Sequence, residues 1–158
     1  AASNGATASA SSSYPNGGYA PSGANDGDRR GLNWGSGGGW NDATRDVYPD
    51  YLEIDFGSLR TMTEVRVFTL QDNFKNPQEP TPNMTATVYG IIDFDVQYWN
   101  PDGSGQWLTV PGGSIAGNDR VMRVITFPAL TTSKFRIIVN AARNSFSRII
   151  EVEAYNCP

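Results

Sequence analysis

The chain has 158 residues, with 12 Lys or Arg against 16 Asp or Glu, a net charge of −4, and no histidine. That balance offers no basic surface to a nucleic-acid backbone, and the missing imidazole removes histidine-based triads and the commonest zinc and copper sites. No apolar run approaches the roughly 20 residues of a membrane span, and no signal peptide is expected in this stretch.

Residues 1–5 read as a linker or tail, and the small, polar run AASNGATASASSSY passes into a short first strand. Next, GANDGDRRGLNW (23–34) packs Asn25, Asp26 and Asp28 around Gly27, more oxygen than a turn requires. A twenty-residue connection, 31–50, carries Trp34, Trp40 and Tyr48. Strict alternation then begins with YLEIDF (51–56) and TEVRVFTL (63–70). A second long connection, 71–90, opens on Gln71, Asp72, Asn73, Phe74 and Lys75. IDFDVQYW (92–99), the shorter QWLTV (106–110) and MRVITF (122–127), then KFRIIVN (134–140) and IIEVEAY (149–155) continue the period of two, separated by the turn clusters NPDGSGQ, PGGSIAGND and PALTTS. Seven or eight short strands with polar connections predict an antiparallel β-sandwich in one domain over 1–158. Leu52, Ile54, Phe56, Val65, Val67, Phe94, Val96, Phe135, Ile137, Val139, Ile150 and Val152 are expected inside.

Long loops on a rigid sandwich are where function tends to sit. NDGD supplies carboxylates on a tight glycine turn and lacks EF-hand spacing; it reads either as part of a calcium shell closed by Glu151 or as a turn with solvated acids. The strand carboxylates Glu53, Asp55, Glu64, Asp93, Asp95, Glu151 and Glu153 alternate with apolar residues, the pattern of a solvated sheet face. No paired, pKa-shifted set is evident and no histidine can activate Ser or Thr, so an enzyme is not expected. Trp40, in GSGGGWNDA, either presents its indole to a ligand or folds back onto the sandwich, and Phe74 and Phe146 carry the same ambiguity. Trp34, Trp99 and Trp107 read as core or strand residues, and the single cysteine, Cys157, as a bystander in a frayed tail. Asn83-Met84-Thr85 is a glycosylation sequon, relevant only in a secreting eukaryote.

In order along the chain, ANDGDRRGLNW, YPDYLEIDFGSLRTMTEVRVF, FDVQYW, a Trp-Leu-Thr-Val strand, TTSKFRIIV and SRIIEVEAY resemble the F5/8 type C, or discoidin-like, domain in its family 32 carbohydrate-binding form. The resemblance implies an antiparallel jelly-roll β-sandwich of the galactose-binding-like kind, a monomeric, non-catalytic module of a larger secreted or cell-surface protein, with carbohydrate as its partner. A protein or lipid surface met through the same loops is the alternative. It also implies a structural calcium, with carboxylates from Asp26 and Glu151 and carbonyls from Gly23, Asp28 and Ile150. The family's Thr or Ser at the far end of the turn is absent, and the Gly31 carbonyl is the expected substitute. For the sugar, the resemblance points to Trp40 and Asn41, to Gln71, Asp72, Asn73 and Phe74, and to Arg143, Asn144 and Phe146, although the familiar histidine is missing.

Overall fold

A computed structural model describes residues 5–157. Seven strands form: β1 (Thr7–Ala10), β2 (Trp40–Asn41), β3 (Asp50–Thr69), β4 (Ile91–Trp99), β5 (Trp107–Ile115), β6 (Met122–Ala142) and β7 (Arg148–Tyr155). All pairings between them are antiparallel, in the order β2-β7-β3-β6-β4-β5, with β1 added on β3. Among the described residues, helix is confined to two short 3₁₀ turns, Pro21–Ala24 and Arg143–Ser145. The linker predicted over 1–5 lies outside the described residues except for Gly5, which sits in a turn.

The strand count is seven rather than about eight because segments that read as separate strands are limbs of one. Residues 51–56 and 63–70 belong to β3, and 122–127 and 134–140 to β6. Register slips between Asp55 and Arg60, and between Met62 and Glu64, mark where β3 bends, and Gly57 (φ 71°) takes the left-handed conformation there. PALTTS, expected as a turn, runs inside β6, where Thr132 is buried and its hydroxyl donates to the Trp99 carbonyl at 2.7 Å. PGGSI likewise extends β5.

One layer contains β1, the first limb of β3, the second limb of β6, β4 and β5. The other contains the second limb of β3, the first limb of β6, β7 and β2. The main core fills the space between them, and every residue predicted to face inward is buried except Phe56, which packs half-buried against Phe135 with ring centroids 5.6 Å apart. Ile150 is buried on the opposite side. A register slip where Phe68 and Thr69 meet β7 lets Ile149 join the main core, while Ile150 packs with Phe68 and Leu70 beneath the loops. The acids are not uniformly solvated either. Glu64 is buried beside Arg66, Glu153 accepts Arg29 through both carboxylate oxygens, and Glu151 is fully buried. Cys157 has an exposed thiol but not a loose backbone: its N–H donates to Thr63 Oγ1 at 2.8 Å.

Asp50 pairs with Val139, and Phe68 with Met122, so β3 begins and finishes at the same end of the sandwich. Segments 11–39, 42–49, 70–90 and 143–147 gather at that end. Two buried carboxylates bind segment 42–49 to the turn at 143–147. Asp42 accepts the Ser147 N–H at 2.7 Å and the Thr44 N–H and hydroxyl at 2.7 and 2.9 Å. Asp50 accepts the Ser147 hydroxyl at 2.7 Å, and burial raises its pKa against the pull of that bond. Asp42→Ala strands these donors without partners and should cost about 3 kcal/mol, the upper range for an unsatisfied buried group, read as a lower urea midpoint at unchanged slope.

Candidate functional site

At the loop end lies an open cleft of about 410 Å³. Tyr14, Asn16 and Tyr19 reach it from the segment after β1, Trp34 from the glycine-rich loop, and Asn41 from β2. Leu70, Phe74 and Tyr89 come from the β3–β4 connection, and Phe146 and Arg148 from the turn into β7. Its aromatic wall is continuous. Phe146 meets Tyr14 edge to face at 5.8 Å, Tyr14 meets Tyr19 at 5.7 Å, and Tyr19 meets Trp34 at 4.8 Å. On the other side Phe74 meets Tyr89 at 5.5 Å. The Arg148 guanidinium bridges the two sides, 5.3 Å from the Tyr89 centroid and 5.5 Å from that of Phe146. Burial lowers the Arg148 pKa, opposed first by the nearby Asp42 charge. Arginine remains protonated under such a shift, so the cleft carries one fixed positive charge and no carboxylate along its lining.

The structure divides the residues expected to bind sugar. Asn41, Phe74 and Phe146 meet in the cleft. Gln71, Asp72 and Asn73 line a separate hollow of about 400 Å³ on the same connection. There Gln71 holds the backbone of Gln78 and Asp72 caps Thr87 and Val88, which fixes the loop. Arg143 is outside the cleft because its side chain is engaged by the carbonyls of Ala86 and Asn118. Asn144 is exposed, in the left-handed region at φ 55°, and gives its carbonyl to Arg148.

Trp40 is the clearest correction. It is fully buried in the main core and its indole N–H donates to the Ser12 carbonyl at 2.8 Å. Pairing of β2 with Ile149 draws the ring inward. Its place in the cleft belongs to Trp34, half-buried although its position read as core. Arg148, Tyr89, Tyr14 and Tyr19 were also missed. Arg148 and Tyr89 sit within or beside alternating runs that look purely structural; the Tyr14–Tyr19 pair, flanked by Pro, Asn and Gly, was the available signal.

Against the outer side of β7, the loop from Gly23 to Gly31 covers Glu151. Its Oε1 accepts the Gly27 N–H at 3.3 Å, while Oε2 is a buried oxygen with no partner. Burial, first, pushes the Glu151 pKa up to about 8, and the Asp26 charge adds to the rise. Asp26 is also raised, again mainly by burial. The Asp28 side chain is engaged with the N–H groups of Arg30 and Leu32 at 3.0 and 2.8 Å, which leaves its carbonyl as the group available to a ligand. Gly31 has φ 75°, and a Cβ there would lie 2.9 Å from Ile150 Cδ1, so a side chain at this position would be strained and would press on Ile150. Among the described residues no three Asp, Glu or Cys side chains converge on one point; any cation here would take two carboxylates and otherwise backbone oxygens.

The model for the F5/8 type C domain matches residues 7–152. The chain belongs to the F5/8 type C domain family. No curated protein matches this F5/8 type C domain in sequence. Among solved structures it is similar to the family 32 carbohydrate-binding module of Streptococcus pneumoniae EndoD, at 20% identity over 97% of each chain and a TM-score of 0.72. It is also similar to the family 32 module of C. perfringens NanJ in complex with galactose (20% identity, 98% of this chain and 95% of that one, TM-score 0.69). A third similar structure is chitosan-binding module 2 from a chitosanase/glucanase of Paenibacillus sp. IK-5, in complex with chitotriose (19%, 95% of each chain, TM-score 0.69).

Two buried carboxylates of this F5/8 type C domain, Asp42 and Asp50, serve loop hydrogen bonds and neither lines the cleft, and Trp40 likewise lies in the core. Trp40→Ala should therefore unfold the domain rather than disarm it, at a cost of about 3–5 kcal/mol for a buried tryptophan, seen as a large drop in thermal midpoint.

Proposed function

We propose that this domain is a non-catalytic carbohydrate-binding module that takes its glycan in the loop-end cleft and directs a larger extracellular protein to that glycan. The observation that carries the reading is the aromatic wall with amides and one guanidinium among its lining. Aromatic faces cover the C–H surface of a sugar ring, while Asn16, Asn41 and Arg148 supply directional polar groups for hydroxyls. The ligands named for the NanJ and Paenibacillus modules, galactose and chitotriose, are both carbohydrate. A glycan array tests the reading. Phe146→Ala should weaken a glycan identified on it by about 1–2 kcal/mol, as for a truncated aromatic contact, with an unchanged melt. Binding to a protein or to lipid vesicles, with no glycan bound, would favour the adhesive alternative.

We further propose that a structural calcium ion lies between the Gly23–Gly31 loop and β7. Asp26 and Glu151 would give carboxylates, and Gly23, Asp28, Gly31 and Ile150 carbonyls, a hard oxygen set suited to calcium. The unpartnered Glu151 Oε2 is the support: a buried carboxylate oxygen without a donor is costly and a cation relieves it. Calcium at a hundredfold excess over its Kd should stabilise the domain by about 3 kcal/mol, and Glu151→Gln should abolish that response. In EDTA the sign with pH follows from the raised carboxyl. Its protonated form is the one the fold prefers, so stability should be lost as pH rises through about 8 and regained toward the ordinary glutamate range. A wild-type melt indifferent to EDTA would leave a plain turn.

A further inference from the structure

Arg148 is held in an unusual way. Nη1 donates to the carbonyls of Arg143 and Phe146 at 3.2 and 3.5 Å, and Nη2 to that of Asn144 at 3.3 Å. These acceptors all belong to the 3₁₀ turn and the residue that follows it, so the turn grips the guanidinium. Phe146 and Tyr89 limit its tilt. Nε makes no hydrogen bond. Among the described residues, Glu151 Oε2 is the sole fully buried side-chain polar atom without a partner, so Arg148 Nε is not sealed off from the cleft. Nε and Nη2 flank one edge of the planar group, and Nη2 keeps a second proton to give. That edge is the fork whose parallel N–H groups match the two oxygens of a carboxylate.

The charge on this fork is not already neutralised by an ion pair. Among the described residues no carboxylate forms an ion pair with it, and Asp42, the charge that acts on it most strongly, has its oxygens engaged by Ser147 and Thr44. No acidic side chain lines the cleft. An ammonium group entering it would meet a fixed positive charge and find no counter-ion.

From this geometry we propose that the glycan is acidic: a sugar carboxylate seats on the Nε–Nη2 edge of Arg148 while its ring lies against the aromatic wall. The inference rests on the cleft being the glycan site, and it adds the ligand's charge class, against cationic amino sugars. Two sources share the chemistry, a uronic acid within a polysaccharide and a terminal sialic acid.

Calorimetry on the intact domain separates them with matched probes: trigalacturonate against its methyl ester, 3′-sialyllactose against lactose, and the glucosamine trimer as cationic control. One acid should bind roughly tenfold to a hundredfold tighter than its uncharged partner, the gain of charge-assisted over neutral hydrogen bonds, and identify the source. The glucosamine trimer should not bind, and the preference should shrink as salt is raised. Arg148→Lys keeps the charge and removes the fork, and should lose most of the preference. If that variant fails to fold because the turn loses its clamp, the esterification comparison on wild type still decides. Equal or tighter binding of the uncharged partners, or binding of the glucosamine trimer, overturns the acidic assignment and leaves the glycan reading standing. Binding of neither acid also overturns it, and the glycan array then shows separately whether the cleft takes any sugar. Acid binding untouched by Phe146→Ala places the acid outside the cleft and overturns both.

Discussion

Backbone pairing between β3 and β6 runs through both layers of the sandwich, and most other features depend on it. Because the two strands bend together, both are inner strands of the first layer, where β1, β4 and β5 add outward from them, while in the second layer β3 lies between β6 and β7 and β2 adds beyond β7. The bend also returns β3 to the end from which it started. Loops far apart in sequence therefore converge at one end, and hydrogen bonds accepted from Ser147 by Asp42 and Asp50 tie two of them together. A rigid floor with tied loops loses little conformational freedom when a ligand binds.

A single register slip on β7 connects the two candidate sites. It turns Ile150 out of the main core and into a second cluster with Phe68 and Leu70, against which Trp34, Phe74 and Tyr89 pack. Ile150 thus supports the cleft from beneath while its neighbour Glu151 faces the Gly23–Gly31 loop. Trp34 closes the contact, since a Cβ on Gly39 would lie 2.8 Å from its ring and 3.1 Å from Ile150 Cδ1. The loop that would carry the cation and the aromatic wall of the cleft therefore rest on the same strand.

The outer face of the first layer shows what the rest of the sheet does with its aromatics. Trp99 and Trp107 meet edge to face at 5.3 Å, with Lys134 over both rings and Arg136 over Trp107 at 4.3 Å. Lys134 also pairs with Glu53 at 3.2 Å, and Arg136 with Gln97 at 3.0 Å. Indoles there are capped by aliphatic stems and charges from the neighbouring strand. In the cleft, by contrast, the rings cap one another and leave a hollow.

Strict alternation in YLEIDF, TEVRVFTL and KFRIIVN determined the strands and nearly all of the core, because a period of two admits one buried face. The surplus oxygen of ANDGD next to a late Glu determined where a cation would be sought, since hard ligands must come in numbers. The sequence was silent where burial depends on a distant partner. Trp40 and Trp34 stand six residues apart in one glycine-rich loop with similar neighbours. Only the pairing of β2 with β7 sends the first into the core, and only the packing of Gly39 on Ile150 leaves the second at the cleft. Arg143 and Arg148 flank one turn and offer the same guanidinium. Tertiary structure alone decided that the carbonyls of Ala86 and Asn118 occupy Arg143, while Arg148 is gripped by its own turn with one edge left free, because the acceptors that make the difference are brought there by the fold.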